Sequence, residues 1–205
     1  MLSFARHAWH YVNRIEERGH YFGEVLEIEA WSPEELQTLI ERRNEASGYS
    51  VSFAKMVAAH AENERDDELF DVIETSRGYF RYLHEFSGGN PRVAMVYWLA
   101  SVHPSARPDK LDVDLFDRPD TDVFDHFDDD HWFLLAALVQ HGRLDAAQLA
   151  RIVQVGLGFC SRALDYFAEH DVVDIDADTG LAALSALYWR PVMRKLASSN
   201  YLYGA

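Results

Sequence analysis

Ten aspartates crowd into residues 109–130, DKLDVDLFDRPDTDVFDHFDDD, against only Lys110 and Arg118. The net charge there is −8 over 22 positions, whereas residues 131–205 carry 7 acids and 6 bases. Like charges at this density repel one another and favour an extended, solvated chain. Pro119 lies inside the stretch and Pro104 and Pro108 just before it, which further interrupts regular structure. The expectation is a boundary: one module over residues 1–108, an acidic linker over 109–130 and a second module over 131–205. At 205 residues the chain can bury one large core or two small ones.

Charge and composition exclude several classes. With 34 acids against 19 bases, the net charge of −15 repels phosphate backbones and argues against a general nucleic-acid coat. Apolar residues at 48% and charged residues at 26% are those of a folded chain. The single cysteine, Cys160, has no internal partner, which suits a reducing compartment. The longest apolar run, Val93 to Val102, is interrupted by Ser101 and too short to cross a bilayer. The opening residues MLSFARHAWHY have neither the apolar core nor the cleavage site of a secretory signal. A cytoplasmic protein without membrane contact is expected.

In the first module, Trp9, Val12 and Ile15 recur at helical spacing and predict a helix over 4–18. Gly19 and Gly23 break it, and GEVLEIEAW then reads as a short strand. Ser32-Pro33-Glu34-Glu35 predicts a helix start, with Ser32 as cap, Pro33 in the first position and Glu35 closing a capping box. Leu36, Leu39 and Ile40 would be its buried stripe, and Ser47-Gly48 its end. A second helix is expected over 64–86, burying Leu69, Phe70, Ile73, Phe80, Leu83 and His84, with Ser87-Gly88-Gly89 as its stop. Asn90 then caps a third helix opened by Pro91, and Arg92 falls in its first turn. A helix N-terminus attracts anions, and a guanidinium placed there can clamp a phosphate with two hydrogen bonds. The helix behind it, Val93 to Val102, is apolar almost all round.

The order "helix, GEVLEIEAWSPEELQTLIERRN, helix, FSGGNPRVAMVYWLAS" resembles the end of an AAA+ ATPase module followed by its helical lid. The resemblance implies that GEVLEIEAW closes a nucleotide-binding sheet. It further implies that the Gly89-Asn90-Pro91-Arg92 turn places Arg92, with Asn90 beside it, as the sensor-2 arginine against a γ-phosphate. Arg18, or failing that Arg14, matches the family's arginine finger at a subunit boundary. The likeness covers roughly residues 1–103. No G-x-x-x-x-G-K-[ST] loop occurs, because no glycine is followed by lysine, and no strand ends in paired acids to hold magnesium. Without those parts phosphoryl transfer has no platform. ATP and magnesium therefore enter only if the chain is joined to a phosphate-loop domain. No cofactor or ATPase activity is expected in isolation.

The second module predicts three helices and a hairpin. HWFLLAALVQH (131–141) ends at Gly142. Asp145 and Gln148 frame a second helix with Leu149 and Ile152 turned inward. Gly156 and Gly158 make a turn, and FCSRALDYFAEH forms the third helix, burying Leu164 and Phe167. Val172 to Ile175, the turn Asp176–Gly180 and LAALSALYW complete a wing. The order resembles a winged helix, which follows the lid directly in several AAA+ relatives. A DNA-reading third helix presents several basic or amide side chains. This one offers Arg162 beside Asp165 and Glu169, and the wing turn is acidic. Arg190, Arg194 and Lys195 are the remaining candidates for phosphate contact. Protein contact is favoured over DNA.

Other constellations carry less. Asp122, His126, Asp129, Asp130 and His131 lie close together but lack the spacing of a known metal site. Asp174, Asp176 and Asp178 mimic a calcium loop, yet Gly180 comes one place late and Ser185 stands where a glutamate is needed. Cys160 reads as a small buried apolar residue. No catalytic residue set and no metal site is expected. The fold expected is mainly α, a lid-like helical bundle followed by a winged helix with a short β-hairpin. Its role would be regulatory: it would sense nucleotide held by another segment and contact a protein partner. A DNA-binding regulator is the alternative. A homo-oligomer could form if the strand near Val25–Ile28 offers a free edge.

Overall fold

The computed structural model describes residues 24–54, 56 and 76–202, with Ala8, Trp9 and Asn13. Arg14, Arg18, most of the helix expected over 4–18 and the first half of that expected over 64–86 lie outside these residues. The described residues are mainly helical, and no helix among them is long and apolar enough to cross a membrane. The chain divides into two compact units, residues 28–118 and residues 119–205, the latter also taking in 1–27. The division falls at Pro119, inside the acidic stretch.

In unit 28–118, helix α1 (Pro33–Ser47) starts as its residues dictate. Ser32 Oγ accepts from the Glu35 amide and Glu35 Oε2 from the Ser32 amide, so both halves of the capping box form. Gly48 ends the helix in the left-handed conformation, and Leu36 and Ile40 are fully buried. Helix α2 (Ser76–Ser87) buries Tyr79, Phe80, Tyr82 and Leu83. Helix α3 (Pro91–Ser101) buries Val93, Ala94, Tyr97 and Trp98 but leaves Leu99 65% exposed, so it is covered on one side only. Tyr79 donates to Ser101 Oγ at 2.8 Å and Ser101 donates to the Tyr97 carbonyl, tying α2 to the end of α3. Burial pushes the Tyr79 hydroxyl well above its ordinary pKa, so it remains a donor.

A small sheet completes this unit. Strands β1 (Ser50–Ser52), β2 (Val102–Pro104) and β3 (Lys110–Val113) lie in the order β1-β3-β2. The central β3 runs parallel to β1, with Ser50 opposite Lys110, and antiparallel to β2, with Val102 opposite Val113. This corrects the reading of residues 109–130 as a solvated linker. Val113 is fully buried, and the buried Phe116 ring packs 4.5 Å from Tyr97 and 5.0 Å from Tyr82. Burying two such side chains stabilises by about 1.5–3 kcal/mol each, more than the screened repulsion of exposed aspartates, roughly 1 kcal/mol per close pair. Apolar burial wins over the charge run.

The strand expected in GEVLEIEAW does not form. Residues 24–32 belong to no element, and Val25, Leu26 and Ile28 are 54%, 81% and 82% exposed. A strand needs a partner for its backbone groups, and no registered pair among the described residues includes this segment. The end of the segment is anchored instead by a close approach to Gly89. The Trp31 amide donates to the Gly89 carbonyl at 3.0 Å, and a Cβ on Gly89 would lie 2.5 Å from the Trp31 carbonyl oxygen. Gly89 also has φ +72°.

Unit 119–205 is built round helix α4 (Asp129–His141), whose Trp132 and residues 134–139 are all buried. Helix α5 (Ala146–Val153) carries the expected Asp145–Gln148 capping box and buries Leu149. Ile152, expected inward, is 43% exposed. Helix α6 (Leu157–Glu169) is capped by Gly156, so Gly158 lies in its first turn and not in the preceding loop; Cys160, Leu164 and Phe167 are buried. Strands β4 (Val173–Ile175) and β5 (Ala182–Leu184) form an antiparallel hairpin, Val173 opposite Leu184. Leu144, between α4 and α5, exchanges both backbone hydrogen bonds with Ala182 and so occupies a third strand position beside β5. Helix α7 (Trp189–Ser198) closes the unit through the fully buried Val192 and Leu196. The acidic stretch serves this unit too: Val123 is buried, Phe124 packs 5.1 Å from Trp132, and the Tyr188 hydroxyl donates to the Asp120 carbonyl.

Two glycine substitutions separate these effects. Gly89→Ala adds backbone overlap to left-handed strain and is expected to cost about 2–5 kcal/mol. Gly48→Ala, with nothing within 4 Å of its Cβ, is expected to cost only about 1 kcal/mol. Urea unfolding followed by the amide signals of residues 28–118 checks the ranking, and equal costs would contradict the close-approach account.

Candidate functional site

The turn into α3 is the first site the residues build. Asn90 Oδ1 accepts from the amides of Arg92 (3.0 Å) and Val93 (3.4 Å), and the Asn90 carbonyl accepts from Ala94. The first-turn donors that an anion would use are therefore taken by the cap itself. Asn90 acts on the helix, so of the expected nucleotide-sensing pair only the Arg92 side chain is left uncommitted by the cap. Arg92 is exposed, and it carries no ion pair among the described residues. A cleft of about 340 Å³ in the same unit is lined by residues of α1, β1, α2 and α3, and Arg92 is not among them. Among the described residues, Arg92 thus sits without an ion pair on a rigid helix start and with no phosphate cradle round it. The arginine-finger candidates Arg18 and Arg14 lie outside the described residues.

The second site is the exposed surface of α6 and the hairpin. Leu157, Gly158, Arg162, Asp165 and Glu169 are exposed along α6, and the Arg162 guanidinium lies 3.4 Å from where a Cβ on Gly158 would be. Asp174, Asp176 and Asp178 are exposed on the hairpin, which carries no base of its own, and the charge of Arg143, next to Leu144 at the strand position beside β5, acts on Asp176. Exposed apolar groups accompany the acids: Leu157 at 54%, Ile152 at 43% and Ile175 at 41%. Asp176 Oδ1 accepts from the amides of Asp178 and Thr179. Hydrogen bonds from Thr179 hold its carboxyl below the usual carboxylate range, so it organises the turn as an anion. On α7, Arg190, Arg194 and Lys195 are exposed in a helix without acids, and Lys195 Nζ lies 5.8 Å from the Trp132 ring centre.

The remaining clusters resolve into structural roles. Asp128 Oδ1 accepts from the His131 amide at 3.1 Å and pairs with His131 Nδ1 at 2.6 Å, which caps the start of α4. The His131 ring stacks on Phe127 and meets Phe159 edge-on. Asp129 accepts from the Tyr201 hydroxyl, and that bond raises the hydroxyl's pKa. These residues are spent on caps and anchors, and among the described residues no three His, Cys, Asp or Glu gather as metal ligands. Cys160 is fully buried in the apolar core, which pushes its thiol pKa up and makes it a poor nucleophile. Sequence reasoning missed the exposure of Ile152 and Leu157, because helical spacing alone does not tell which apolar positions a neighbouring helix covers.

Hydrogen bonds from His131, first from its amide and then from its ring, hold the Asp128 carboxyl below the usual range. A depressed folded pKa gives stability that is complete above the unfolded value, about 4, and is lost as pH falls through the folded one. Asp128→Ala is expected to cost about 1 kcal/mol at pH 7, as N-cap losses do. That difference should narrow towards pH 3 in thermal unfolding at matched salt; a gap that widens on acidification would contradict the assignment.

Set against known protein families, curated proteins and solved structures, the chain finds no match in any of the three.

Proposed function

We propose that the chain is a non-catalytic regulatory and interaction module, and that unit 119–205 contacts a protein partner through α6 and the hairpin. The observation that carries this reading is the mixed acidic and apolar character of that surface. Asp165, Glu169, Asp174, Asp176 and Asp178 repel a phosphate backbone, whereas Ile152, Leu157 and Ile175 are the kind of exposed apolar groups that protein interfaces cover. Three helices, a hairpin and a strand position at Leu144 are in the order of a winged helix, which supports reading α6 as the presenting element. In the same proposal Arg92 answers to a nucleotide phosphate held by another polypeptide segment. Its exposure and its freedom from ion pairs among the described residues support that role.

A second reading, contact with DNA, has one observation in its favour: the exposed Arg190, Arg194 and Lys195 on an acid-free helix. In-cell photocrosslinking separates the two. A photoreactive residue in place of Asp165 or Ile175 is expected to yield a protein adduct of discrete mass, and one at the exposed Ala106 none. Nucleic-acid adducts from position 190, with no protein adduct from 165 or 175, would overturn the proposal in favour of the second reading.

A further inference from the structure

We draw no further inference here: the strongest candidate, the outer face of α3, where Met95, Val96, Leu99 and Ala100 recur at helical spacing opposite the buried side and Leu99 is 65% exposed, carries nothing because nothing in the structure shows what covers it.

Discussion

The backbone contact between Trp31 and Gly89 is the constraint on which unit 28–118 depends. The Trp31 amide reaches the Gly89 carbonyl, and no side chain fits at Gly89 because the Trp31 oxygen stands where its Cβ would be. The contact joins two caps, Ser32 at the head of α1 and Asn90 at the head of α3, so both helices start from one point. Each cap satisfies backbone donors that would otherwise be left unpaired. Arg92 gains a fixed origin from this arrangement, and its neighbour Asn90 is committed to holding the helix. The result is a cation on a rigid support, with its own amides closed to an anion.

Much of this architecture was legible in the residues. The cap at Ser32, the stop at Gly48, the Asn90-Pro91 start and the Asp145–Gln148 box all form, because capping is a local matter of a side chain and an amide two or three positions away. The hairpin formed for a similar reason, its turn being organised by Asp176. The illegible part depends on distant partners. Ser50–Ser52 and Lys110–Val113 become strands only because the long stretch of chain between Ser50 and its partner Lys110 is closed by their mutual pairing, and neither has a strong strand pattern of its own. The opposite failure occurs at Val25–Ile28, where the local alternation is good and no registered partner appears among the described residues.

The acidic stretch shows how two forces divide one segment. Charge density marked it as a connector, and the boundary between units does fall within it, at Pro119. Its apolar residues, however, enter both cores: Val113 and Phe116 in one unit, Val123 and Phe124 in the other. The aspartates remain mostly at the surface, where water screens them and their repulsion is weak. For the candidate site the sequence conveyed the sign of the α6 surface correctly, since charge needs no tertiary context. Its apolar component emerged only with the exposure of Ile152 and Leu157.

Electrostatics therefore carries the functional account. In the proposed role, a surface that presents Asp165, Glu169 and three hairpin aspartates favours basic or apolar protein groups over a polyanion. Fluorescence anisotropy of a mixed-sequence duplex, titrated with the chain at about 50 mM and again at about 200 mM salt, measures this most directly. The account predicts no saturable rise at either salt up to about 10 μM protein, well inside the range of ordinary non-specific DNA binding. Micromolar binding at low salt that collapses at the higher salt, and disappears when Arg190, Arg194 and Lys195 become alanine, would contradict it.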